Sequence, residues 1–128
     1  MTEQIPNVAT ASLQEIFDFV VSNLLKQNAK SVSEEHPDEC LYRGPNGKKC
    51  AAGFLISDSR YSKSLEGQNI YYIINAIMPD FDSNNSEHFS KRALIVNLQE
   101  IHDEIDEEDW KEAFKRLAKI TKLSINFS

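Results

Sequence analysis

Apolar side chains in this chain recur at steps of three and four residues, and that period limits the fold more than any other feature of the sequence. Leu13, Ile16, Phe17, Val20 and Leu24 form the first stripe, which predicts an amphipathic helix over 13–29. Ser12-Leu13-Gln14-Glu15 supplies its capping box, the serine accepting from a free amide while the glutamate reaches back. The polar residues 29–39, with Pro37 among them, end that helix as a loop. Ile70, Ile73, Ile74 and Ile77 keep helical spacing up to Pro79, although isoleucine and tyrosine lean toward strand. A polar loop over 80–86 leads into a helix over 87–105 with Leu94, Leu98, Ile101 and Ile105 on one side. The last helix starts near Asp106 and turns Trp110, Ala113, Phe114, Leu117 and Ile120 inward. Its charges follow the helix dipole, with Glu107, Glu108 and Asp109 first and Lys115, Arg116, Lys119 and Lys122 late.

One stretch departs from this period. Between Cys40 and Cys50, Pro45 pre-sets the backbone for a turn, and Asn46 and Gly47 tolerate the conformations that follow it. This predicts a two-stranded β-hairpin over 40–50, with either Leu41 or Tyr42 opposite Cys50 according to the register. Neither register brings the two cysteines into easy bridging distance, so both are expected as free, packed thiols. Ala51 to Ile56 is a short apolar run whose alanines and glycine let another backbone come close, and it reads as a short buried helix. The expected fold is therefore α+β and predominantly α, with about five helices around one core and the hairpin held on it. Residues 1–11 read as a flexible N-terminal arm and 12–128 as a single domain, which suits a chain of 128 residues.

Charge narrows the partners. Twenty acidic residues against 14 basic ones give a net charge of -6, which repels phosphate backbones and leaves direct nucleic-acid binding disfavoured. A basic surface on another protein is the complementary partner. No apolar run reaches the roughly 20 residues that span a bilayer, and the first residues have neither a basic start nor a long apolar stretch. No membrane partner and a reducing, cytoplasmic location are the expectations.

The run Cys40, Tyr42, Arg43, Gly47, Lys49, Cys50, Ala51, Gly53, Leu55, Ile56, Asp58, Tyr61, Glu66 and Gly67 resembles a family of small uncharacterised proteins encoded by phages and bacteria. Leu98-Gln99, His102-Asp103 and Trp110 continue that pattern in order, so the likeness spans roughly residues 38–112. The stretch from Asp80 to Ser90 departs from it. The resemblance implies a shared fold and a phage or mobile-element origin, where small acidic proteins often bind host machinery. It transfers no catalytic role.

Candidate chemistry falls into several groups. Cys50, at the end of the hairpin and beside Lys48 and Lys49, could be activated by His102, with Asp103 as its orienter. Against this, His102 and Asp103 are neighbours on one helix, so their side chains point about 100° apart and do not pair easily. His36, Cys40 and Cys50, with His88 or His102, offer zinc ligands at spacings that match no standard site. Asp80, Asp82 and Asn84 imitate the start of a calcium loop, but Asn85 stands at its glycine and Lys91 at its closing carboxylate. No metal and no cofactor are expected. Asp103, Glu104, Asp106, Glu107, Glu108 and Asp109 form an acidic run suited to docking a basic partner. Tyr42, Arg43, Lys48, Lys49 and Tyr61 form a smaller basic and aromatic cluster that could hold an anion. The leading expectation is a non-enzymatic interaction protein, an inhibitor or modulator of a host protein. The alternative is a thiol-dependent hydrolase or transferase using Cys50 with His102.

Overall fold

In the computed structural model, residues 4–127 are described, and they form four α-helices. The first, α1 (Leu13–Gln27), begins on the expected capping box: Ser12 Oγ accepts from the Glu15 amide at 3.0 Å, and Glu15 Oε1 accepts from the Ser12 amide at 2.9 Å. These bonds hold the Glu15 carboxyl below its ordinary range. Asn28 ends the helix in the left-handed region (φ 50°). In α2 (Ile70–Ile77), Asn69 caps the start, and the helix stops ahead of Pro79. Asn85 caps α3 (Ser86–Glu104) by accepting from the Glu87 and His88 amides. A single 3-10 turn, Glu107–Asp109, leads into α4 (Trp110–Thr121).

Helices α1, α3 and α4 pack against one another, α2 lies on α3, and the turn Ala52–Leu55 wedges against α1, α2 and α3. Trp110, Phe17, Phe114, Ile16, Leu24, Ile56, Met78, Ile95 and Leu98 are all buried at this junction. Each such side chain contributes about 1.5–3 kcal/mol. Trp110 keeps its one polar group satisfied by donating Nε1–H to the Ile105 carbonyl at 2.9 Å.

Two features of the expected fold are corrected. The fifth helix, placed at 51–56, is one 3-10 turn, Ala52–Leu55. Among the described residues there is no two-stranded hairpin, only the isolated bridges Val32 with Cys40 and Arg43 with Lys49. The chain does reverse at Pro45–Gly47, with Asn46 and Gly47 both at positive φ. A ladder fails to propagate because distant side chains take its backbone groups. Glu66 accepts from the Tyr42 and Arg43 amides at 2.8 and 3.1 Å. Gln27, at the end of α1, accepts from the Lys49 amide at 3.0 Å and donates to the Lys49 carbonyl at 2.8 Å. The segment keeps two cross-turn bonds of its own, from the Gly44 amide to the Lys48 carbonyl at 2.8 Å and from the Cys50 amide to the Tyr42 carbonyl at 3.4 Å, and is otherwise pinned to its neighbours.

Of the segment expected as an arm, residues 1–3 lie outside the described residues, while Val8 and Ala11 are buried in the core. Lys91, only 1% exposed, holds this segment on α3 by donating to the Ala9 carbonyl at 2.9 Å while pairing with Glu87 at 2.8 Å. At the other end, Gln14 exchanges two hydrogen bonds with the backbone of Ser124, and Phe127 meets Phe114 edge-on. Among the described residues, no helix is long and apolar enough to cross a membrane.

Candidate functional site

His102 sits on the last turn of α3 and is fully buried. Its Nε2 lies 2.9 Å from the backbone amide of buried Ser31, which can only donate, so Nε2 accepts. The proton of the neutral ring therefore stands on Nδ1, which donates to Asp103 Oδ1 at 2.7 Å. The expectation that these neighbours do not pair is corrected: the short aspartate side chain folds back along the helix to meet the nearer ring nitrogen. Gln99, one turn earlier, donates to the same Asp103 oxygen at 2.9 Å and accepts from the Ala52 amide at 2.9 Å. Together these groups tie α3 to two backbone segments that have no regular partner of their own.

This arrangement leaves the imidazole no free nitrogen with which to activate a thiol. Cys50 is buried, its Sγ accepts weakly from the Gly53 amide at 3.4 Å, and burial pushes its thiol up to about 12. It is Cys40, half-buried, that lies beside Asp103, and its thiol is also pushed up to about 12, by burial and by its hydrogen bond to that carboxylate. Both thiols are free. At pH 8, iodoacetamide should therefore label Cys50 only as fast as the protein unfolds. A thiol with its folded pKa raised keeps its stability contribution below the unfolded value of 9.0 and loses it as pH rises toward about 12. Stability should thus fall over that window by roughly 1 kcal/mol per pH unit for Cys50. Denaturant titrations at stepped pH would show it, and a Cys50→Ala protein with an unchanged alkaline slope would refute it.

Ligand atoms of Cys40, His102 and Asp103 lie within 4.8 Å of one another. A metal on His102 Nδ1 would drive the proton to Nε2, facing the Ser31 amide donor to donor, so the residues do not fit a metal. The other residues considered for metals are placed apart. His36 is exposed, and His88 accepts from the Asp82 amide at 3.1 Å while stacking on Phe81. Asp82 caps the Asn84 amide, Asn85 caps α3, and Lys91 points inward, so the calcium-like loop is an N-terminal helix entry.

The basic and aromatic cluster is divided. Arg43 spends its guanidinium internally: Nη2 reaches the Ile56 carbonyl at 3.0 Å and Asp58 at 2.8 Å, and the group lies 4.5 Å over the Tyr61 ring. Tyr61 donates to Glu66 at 2.7 Å, and burial with that bond pushes its hydroxyl up to about 12. Tyr42 is buried and donates to the Gln68 carbonyl. Arg43 and Tyr61 are thus brought together, but Lys48 and Lys49 border different grooves.

The acidic run is divided as well. Asp103 and Glu104 line a cleft of about 610 Å³ between α2, α3 and the chain at 38–42, whereas Asp106, Glu108 and Asp109 cluster on the exposed turn before α4 and Glu107 is half-buried there. Asp38 and Glu100 complete the cleft's carboxylates, and the sequence reading missed both. A signal existed for Glu100, since 100, 103 and 104 share one helix face. Leu41, Ile70 and Val96 give the cleft apolar walls, and no lysine or arginine lines it. Among the described residues, the carboxylates of Asp38, Glu100 and Glu104 make no hydrogen bond or ion pair, whereas that of Asp103 is anchored as above. Tyr71, 58% exposed, stands on the rim, where Arg92 lies 4.7 Å from its ring, 4.7 Å from Phe81 and 5.1 Å from Phe89.

No family model matches this chain, and no match was found among curated proteins or among solved structures.

Proposed function

We propose that this is a non-enzymatic interaction protein whose acidic cleft receives a basic segment of another protein. The observation that carries the reading is the cleft's lining: three uncommitted carboxylates around an anchored fourth, apolar walls, and no cation in the lining itself, with Lys30 behind it donating to the Asp103 carbonyl at 3.5 Å. A lysine or arginine suits such a lining, since its aliphatic stem covers apolar wall while its head meets carboxylate. Tyr71 on the rim, with Arg92 over its ring and Phe89 beyond, is a group of residue types that anchor protein interfaces. The resemblance to small phage- and bacterium-encoded proteins suits a modulator of a host protein acting in the cytoplasm. Neither thiol offers a thiolate, so no observation favours the hydrolase alternative.

The test is titration of the whole protein with a fluorescent arginine-rich peptide at low salt. A Glu100→Lys/Glu104→Lys protein should bind roughly tenfold more weakly, or worse. Reversal of Glu108 and Asp109 on the exposed turn should change affinity no more than about twofold, as screened rim charges do. Equal losses from both reversals would reduce the cleft to unspecific charge and overturn the reading.

A further inference from the structure

A row of lysines on the last helix is opposite in charge to the cleft. Lys111, Lys115 and Lys119 follow one another at helical steps along one face of α4, Lys122 caps its C-terminal end, and all four are exposed. Among the described residues, Lys115 makes a loose pair with Glu112 at 3.4 Å, and the other three make none. Trp110, Ala113, Phe114, Leu117 and Ala118 of the same helix are buried, and Ile120, 78% exposed, lies at the far edge of that buried face from the lysines.

We infer that the lysine face of α4 in one copy of this protein seats in the acidic cleft of another copy. The inference rests on the cleft reading proposed above and names the occupant. Helix α4 packs on α1 and α3 and supplies no residue to its own cleft, so the two complementary surfaces meet only between molecules. The cleft admits side chains and not a helix, which selects Lys115 and Lys119, one turn apart in mid-row, to approach Glu100, Asp103 and Glu104. The two patches differ, so the contact is head-to-tail and repeats from copy to copy. It forms from exposed charges, so it is weak and salt-sensitive.

The experiment is sedimentation velocity of the full chain over rising concentration, at about 10 mM and about 1 M salt, where the screening length falls from about 30 Å to about 3 Å. Average mass should climb with concentration at low salt and return to the monomer at high salt. Lys115→Gln/Lys119→Gln and Glu100→Gln/Glu104→Gln proteins should each stay monomeric alone. Mixed, they should form a one-to-one pair and nothing larger, because the row of one and the cleft of the other remain intact. A wild type that stays monomeric, a single variant that still associates, or a mixture that does not combine would each overturn the inference. So would a lysine row whose neutralisation abolishes binding to duplex DNA while self-association is absent. A monomeric protein that still binds the arginine-rich peptide loses this inference and keeps the cleft; one that binds neither loses both.

Discussion

Gly53→Ala is expected to cost the protein about 4 kcal/mol, near the top of what one methyl group does to a fold. The reason lies in how the loop over 40–50 is held. At Gly53 the turn Ala52–Leu55 crosses the chain at Tyr42 so closely that an added Cβ would stand 2.0 Å from the Tyr42 carbonyl oxygen and 2.9 Å from its carbon. Both are backbone atoms, and neither side can yield cheaply. Tyr42 is fixed by Glu66 at its amide and by Gln68 at its hydroxyl, while Ala52 is fixed by Gln99. The methyl must therefore push the packed segments apart by more than an ångström. Thermal unfolding should fall by roughly 15 °C. Gly67→Ala is the control: Gly67 has φ +80° but nothing within 4 Å of the new Cβ, so only backbone strain of about 1 kcal/mol is at stake. If the two substitutions cost the same, the close crossing is not what holds this loop.

The same crossing shows where the sequence could be read and where it could not. Whatever depends on neighbours one helical turn away was legible: the Ser12–Glu15 box, the stripes of α1 and α3, the stop before Pro79. The turn at Pro45–Gly47 was legible too, down to the positive φ of Asn46 and Gly47. The missing ladder was not, because it is decided by Glu66 and Gln27, each more than a dozen residues away, competing for the backbone of Tyr42, Arg43 and Lys49. Turn chemistry specifies a reversal, and only tertiary partners decide whether strands follow it. Ile120 was misplaced for a geometric reason. The buried face of α4 runs through Trp110, Phe114, Leu117 and Ala118, which leaves Ile120 on its outer edge.

Polar residues on the buried stripe of α3 misled in the opposite direction. Lys91, Gln99 and His102 occupy the same face as Leu94, Ile95 and Leu98, and a stripe drawn from apolar residues alone passes over them. Each is buried because it serves a backbone segment that has lost regular partners: Ala9 for Lys91, Ala52 for Gln99, Ser31 for His102. Other polar residues fasten the loops to one another and to α3. Arg43, Asp58, Tyr61 and Glu66 lock one another, and His102, Asp103 and Trp110 lock the end of α3. What looked like candidate chemistry is largely the fastening of a loop-rich fold, and the cleft carboxylates that could recognise a partner lie mostly outside that set.

The fastening at His102 carries the second large effect. His102→Leu is expected to lower stability by about 3 kcal/mol, although leucine is apolar and the site is fully buried. The imidazole is the acceptor for the Ser31 amide, itself buried, and a donor to Asp103. Leucine fills the space beside Trp110, whose ring centroid lies 5.8 Å from that of the histidine, but leaves the amide with nothing to bond. An orphaned buried amide costs about 1–3 kcal/mol by itself, and Asp103 loses its shortest hydrogen bond besides. Urea unfolding would measure the loss as a lower midpoint with an unchanged slope, since the same surface is exposed. The mechanism has its own signature: nitrogen NMR of the folded protein should find the His102 proton on Nδ1, the tautomer that free imidazoles favour less. A ring protonated on Nε2, or a leucine variant within about 1 kcal/mol of the parent, would show that Ser31 finds its acceptor elsewhere and that this histidine is packing alone.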